Sequence, residues 1–96
     1  MDISVLEIRM LPGHKATRAF CDVSIGEITI RDFRVYQTNG KPSVRNPFNT
    51  YKDREGNLTF REIISLSSTV QIETHALILS EYFRRLKEQV NEHRQH

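Results

Sequence analysis

Residues 66–92 read LSSTVQIETHALILSEYFRRLKEQVNE, and this stretch decides the fold because the apolar period in it changes to that of a helix. Ile72, Ala76, Leu79, Phe83, Leu86 and Val90 recur in alternating steps of four and three, so all six fall on one helical stripe, widened by Leu77, Ile78 and Tyr82. Ser68 and Gln71 are spaced as a capping box, S-x-x-Q, which satisfies backbone N–H groups at a helix start. Glu81 and Arg85 stand four apart in the order that favours a surface pair. The stretch predicts a helix over 67–92. At roughly 25 residues and 1.5 Å per residue it is about 37 Å long, more than a small sheet can cover. Its stripe, above all Ile72, Ala76, Leu79, Phe83 and Leu86, is the expected packing and dimer surface, and the polar residues 91–96 should fray.

Upstream of the helix the apolar residues alternate as in strands. Ile3 to Leu11 is β-compatible with a phase shift between Val5 and Leu6 that signals a bulge, and Pro12-Gly13-His14-Lys15 turns the chain. From Thr17 to Ile25 the apolar Ala19, Cys21, Val23 and Ile25 fall on odd positions with Arg18, Asp22 and Ser24 opposite, the mark of a half-buried strand. Gly26-Glu27 turns again into a strand over Ile28 to Gln37, whose apolar phase shifts near Arg31-Asp32 and predicts a second bulge. Asn39-Gly40 is a turn signal, and Pro42 and Pro47 confine any strand around residues 42–45 to an edge. Residues 49–57 read as a polar loop before Leu58 to Ile63 resumes β alternation. The fold class expected is α+β: antiparallel β-hairpins with four to five strands in residues 1–65, then one long C-terminal helix, all in a single domain over 1–96.

Length limits the chain to one modest core, since 96 residues cannot bury two. No apolar run approaches the 18 residues or so of a membrane span and no signal-peptide pattern opens the sequence, so a cytoplasmic protein is expected. Cys21 is the single cysteine and lies in the alternating pattern of Ala19, Val23 and Ile25, which marks it as a small buried hydrophobe. The four histidines, His14, His75, His93 and His96, fall in a turn, in the helix and in the tail, and none is placed by sequence as a base for that thiol. No nucleotide-binding glycine motif, paired cysteines or metal-ligand spacing is present, so catalysis, cofactors and a metal site are not expected.

Net charge is only +2, and its distribution carries more information than its sum. Between residues 31 and 61 seven cations, Arg31, Arg34, Lys41, Arg45, Lys52, Arg54 and Arg61, face three acids, Asp32, Asp53 and Glu55. Phe33, Tyr36, Phe48, Tyr51 and Phe60 are interleaved with them. Cations that hold phosphates beside rings that stack bases form a nucleic-acid-binding surface, though strand aromatics serve cores as well. Arg84, Arg85 and Lys87 form a second basic group on the helix, beside Glu81 and Glu88, and read as surface pairing.

The order Ile30-Arg31-Asp32-Phe33-Arg34-Val35, Asn39-Gly40, Asp53 to Gly56, Phe60-Arg61-Glu62-Ile63, Ser80-Glu81-Tyr82 resembles that of the SpoVG family, the bacterial septation regulators, over about residues 1–83. The strongest anchors are Asp32, Arg34 and Val35 and the run Phe60 to Ile63. The resemblance implies an α+β homodimer that binds DNA or RNA and regulates gene expression, septum formation and sporulation. It departs where family members carry a basic Ser-Thr-Arg-Gly-Lys segment before the helix, since here the chain reads Ser67-Ser68-Thr69-Val70-Gln71. Lys52 and Arg54 stand near the family's other basic loop, and free N–H groups at Ser68 and Thr69 offer a further phosphate contact. The expectation is a homodimeric nucleic-acid-binding regulator; the alternative is a division-linked protein-interaction module that docks a partner on the helical stripe.

Overall fold

The computed structural model describes residues 1–13 and 15–94, with side chains described as far as Val90. His14 and His96, and the side chain of His93, lie outside the described residues. Six strands precede one helix: β1 (Ile3–Met10), β2 (Thr17–Ile25), β3 (Ile28–Tyr36), β4 (Ser43–Arg45), β5 (Phe48–Lys52), β6 (Leu58–Glu62) and α1 (Ser68–Arg94). The first four form an antiparallel sheet in the order β1-β2-β3-β4, and β5 and β6 form a separate two-stranded hairpin.

The α+β architecture follows the sequence pattern, with two corrections to the strands. There are six rather than four to five, and they make two sheets. Residues 49–57, expected as a loop, divide into strand β5 and a tight turn. There Asp53 Oδ1 accepts from the backbone N–H of Glu55 and of Asn57, both at 2.9 Å, and Gly56 takes φ +82°. Composition hid β5 because a hairpin outside the main sheet need not bury one whole face, so its strand keeps polar residues such as Asn49 and Lys52. β4 lies at the sheet edge, where Pro42 and Pro47 leave no central ladder bond unmade.

Both expected bulges are present. Leu6 is the extra residue of β1, between Val5 paired with Val23 and Glu7 paired with Asp22. In β3, Arg31 and Asp32 together oppose Asp22, and Asp32 takes φ +69°. Asp22 therefore sits on the central strand β2 between two bulges, and its carboxylate ties them together. It accepts from Arg9 Nη1 at 2.8 Å and Nη2 at 3.0 Å, and from the backbone N–H of Asp32 at 3.1 Å. A third irregularity, with Arg18 as the extra residue of β2, gave no signal in the apolar pattern.

Alternation sends Ile8, Ala19, Cys21, Val23, Phe33 and Val35 to one sheet face, which α1 covers with Ile78 and Tyr82. Cys21 is fully buried, as expected, and burial pushes its thiol up to about 12, so it stays protonated near neutrality.

The helix differs from expectation in its cap and its buried face. Ser67, not Ser68, caps it: its Oγ accepts from Val70 N–H at 3.4 Å and its carbonyl from Gln71 N–H at 2.9 Å, while Gln71 turns its side chain to Asn46. The backbone stays helical to Arg94, past the expected end at 92 and into the expected frayed tail. The predicted packing stripe is displaced. Thr74, Ile78 and Tyr82 are buried, whereas Ile72 is 71% exposed and Ala76, Phe83 and Val90 also face outward. Leu79 and Leu86 lie half-buried on the border. Hydropathy marks an apolar arc wider than the sheet covers, and Thr74 on its true centre is polar by type, so the arc's exposed edge read as its middle.

Candidate nucleic-acid interface

The register that buries the core on one side lines up charge on the other. Arg9 pairs with Phe20, Phe20 with Arg34, and Arg34 with Arg45, so one row across all four strands carries three arginines and a phenylalanine on the face away from α1. The next row toward the core face, Met10, Ala19, Val35 and Val44, is wholly apolar. A one-residue slip would exchange the two rows, so core packing fixes where these arginines stand.

Arg34 and Arg45 are each flanked by two rings. The Arg34 guanidinium carbon lies 5.1 Å from the Phe20 ring centre and 4.3 Å from that of Phe48, and Arg45 lies 5.0 Å from Tyr36 and 5.5 Å from Phe60. The hairpin is thereby applied to the sheet through Phe48 and Phe60, whose own centres are 5.5 Å apart. Each stack contributes about 0.5–1 kcal/mol at such partly wet sites. Neither guanidinium donates a hydrogen bond among the described residues, so its N–H groups are free for a phosphate or a base edge.

The hairpin register divides the remaining aromatic and basic residues. Phe48, Phe60 and Glu62 share the face turned toward the main sheet and helix, while Asn49, Tyr51 and Arg61 share the reverse face, where Arg61 stacks 5.4 Å from the Tyr51 ring. Arg61 thus belongs to a different surface from Arg34 and Arg45. Lys52 and Arg54 sit at the hairpin tip, Lys41 in the turn between β3 and β4, and Arg31 at the bulge beside Asp22, whose carboxyl it helps hold below the usual carboxylate range. Ser68 and Thr69 are exposed in the first turn of α1. The structure therefore brings two of the seven expected cations into one stacked array, puts Arg61 on the reverse face of the hairpin, and leaves the other four at the bulge, in the β3–β4 turn and at the hairpin tip.

Charge compensation separates the arginines of the molecule. Arg9 contacts Glu7, Asp22 and Asp32, and Arg84 contacts Glu81 and Glu88; Glu81 therefore pairs with Arg84 and not, as spacing suggested, with Arg85. Among the described residues no carboxylate lies within 4.0 Å of Arg31, Arg34, Arg45, Arg54 or Arg61. The carboxylates of Glu7, Asp22 and Asp32 converge on Arg9, and no group of three or more His, Cys, Asp and Glu side chains among the described residues is placed to hold a metal.

Sequence reasoning missed Phe20, which lies opposite the apolar positions of β2 and which register puts beside Arg34. It also missed a polar chain at the junction of β4, β5 and α1. Asn46, only 2% exposed, donates from Nδ2 to Gln71 Oε1 at 2.8 Å, and its Oδ1 lies 2.7 Å from His75 Nε2. An amide oxygen can only accept, so His75 is the donor and carries its proton on Nε2. Desolvation holds the His75 imidazole below its ordinary pKa, consistent with this neutral tautomer.

No protein-family model and no curated protein matches this chain. The likeness to the septation regulators rests on the motifs quoted above. Of these, Arg34 lies in the stacked array, Arg61 on the reverse of the hairpin, and Asp32 at the bulge tied to Asp22.

Proposed function

We propose that this chain is a nucleic-acid-binding regulator of the septation-regulator type that works in the cytoplasm as a homodimer, with the outer sheet face and the hairpin as its binding surface. The observation that supports the reading best is the pair of uncompensated arginines, Arg34 and Arg45, each held between two rings. Surface arginines usually find an acid or wave in solvent. Here the rings fix the guanidiniums while their donors stay open, an arrangement suited to phosphates and to unpaired bases. Lys41, Lys52 and Arg54 add sequence-independent charge, and Arg61 adds it on the reverse of the hairpin. No helix among the described residues is long and apolar enough to cross a membrane.

The test is fluorescence anisotropy with labelled single-stranded RNA, single-stranded DNA and duplex DNA over a range of salt concentrations. Affinity should fall steeply as salt rises. Absence of binding at low salt, or binding indifferent to salt, removes the proposal.

A second reading is favoured by the exposed apolar line of Ile72, Ala76, Phe83 and Val90, which invites either the second protomer or a division-linked protein. Light scattering at micromolar concentration decides whether the line serves a dimer: a monomer there removes the homodimer and leaves the line to another protein.

A further inference from the structure

Where the hairpin meets the helix a cleft of about 290 Å³ opens between the rings of Phe48 and Phe60 and the side chains of Asn46, Gln71 and His75. Its size is near the lower end of small-ligand sites. Its lining is unlike the rest of the surface. The two rings are inclined at 60° and form an apolar wall, with Arg45 over Phe60 at the rim. The floor is the neutral polar chain, in which the second Nδ2–H of Asn46 and both Nε2–H donors of Gln71 remain after the internal hydrogen bonds are counted. Glu62 adds a carboxylate that has no cation within 4.0 Å among the described residues.

A carboxylate beside a cationic surface repels a phosphate backbone, so this cleft is unsuited to phosphate. It suits the edge of a neutral base. Aromatic walls stack an unpaired base, and the two oxygens of Glu62 accept in parallel from adjacent donors. Of the common bases guanine alone presents two adjacent donors, N1–H and N2–H, on its Watson–Crick edge, and it also carries O6 and N7 as acceptors for the amide donors of Gln71 and Asn46. Thymine, uracil, cytosine and adenine each set at least one lone pair against the carboxylate.

We propose that this cleft is a nucleobase pocket selective for an unstacked guanine, with Glu62 as the selecting residue and Phe60 as the stacking one. The proposal rests on the nucleic-acid reading above and goes beyond it by naming single-stranded, guanine-bearing targets and by assigning base selection to an acid.

The experiment is an anisotropy titration at low salt of short oligothymidylate and of the same strand with one central deoxyguanosine, against the wild-type chain, Glu62→Gln and Phe60→Ala. The guanine-bearing strand should bind the wild type about tenfold more tightly, the size expected of one good bidentate contact. Glu62→Gln should erase that preference while holding or raising affinity for plain oligothymidylate, because a repelling charge is gone. Phe60→Ala should weaken both strands, with an unchanged circular dichroism spectrum. Equal binding of the two strands to the wild type, or a preference that survives Glu62→Gln, overturns the pocket and leaves the general nucleic-acid reading intact. Failure of both strands to bind removes the pocket, and removes the general reading too when RNA and duplex DNA also fail to bind.

Discussion

On the helix, Arg84 reaches back to Glu81 and forward to Glu88, so its charge is cancelled within its own element. On the sheet, Arg34 and Arg45 have no acid within 4.0 Å among the described residues and lie between rings contributed by three strands besides their own. The same side chain serves two purposes, and the difference lies in geometry. A helix places residues three and four apart side by side, so a sequence rich in Glu and Arg pairs with itself. A sheet places residues from different strands side by side, so the neighbours of an arginine are set by register, and here register supplies Phe20 and Tyr36, with Phe48 and Phe60 added by the hairpin. Arg9 stands between the two cases, on the sheet row with Arg34 but committed to Asp22.

The contrast breaks most readily at the stacked pair. Arg34→Ala combined with Arg45→Ala should lower affinity for single-stranded nucleic acid, measured on the folded fraction, by about a hundredfold and flatten its salt dependence by about two phosphate contacts, and the loss of the ring stacks at about 0.5–1 kcal/mol each should also lower the denaturation midpoint. A loss of binding no larger than that of Arg84→Ala would mean that stacked and paired arginines do not differ in function.

The next largest effect separates Arg9 from its row. Asp22→Ala removes the bidentate partner of Arg9 and the acceptor for Asp32 N–H at the junction of two bulges. Urea denaturation should show a loss of about 2 kcal/mol, less than a fully buried pair would give because the Arg9 side chain is 37% exposed. Binding at neutral pH, measured on the folded fraction, should change far less than in the Arg34 and Arg45 double variant.

A smaller effect follows from pH. The Arg9 hydrogen bond, opposed by burial and helped by the Asp32 N–H, holds the Asp22 carboxyl below its ordinary value. A carboxyl whose folded pKa lies below the unfolded value of about 3.9 contributes stability above that pH and loses it as pH falls through the folded pKa. The stability gap between wild type and Asp22→Ala should therefore be full at neutral pH and close progressively as pH falls below about 4. A gap that does not narrow would show that the carboxylate charge is not what holds the two bulges together.

The sequence made the core face and both bulges legible because strand alternation is local: the phase shifts at Leu6 and at Arg31-Asp32 are visible in the string itself. The stacked arginines were legible only as a composition, since Arg34 and Phe20 are far apart in the chain and meet through a pairing that no short-range pattern states. β5 was missed for the opposite reason, that a strand outside the main sheet lacks the apolar alternation that burial imposes. The helix was plain in the string, but its orientation was not. The arc from Ile72 to Phe83 is as apolar as the arc that packs, and only the sheet decides which one is covered.

The least effect is expected where the helix pairs its own charges. Arg84→Ala removes contacts to Glu81 and Glu88 that lie on the surface, where water already solvates all three groups and Arg85 remains 3.9 Å from Glu88. Both the denaturation midpoint and nucleic-acid affinity should match the wild type within error. A binding loss comparable to that of the Arg34 and Arg45 double variant would place the helix inside the interface and make its charge pairing a reservoir that nucleic acid draws on. Unchanged binding would leave the helix's self-paired arginine outside the interface.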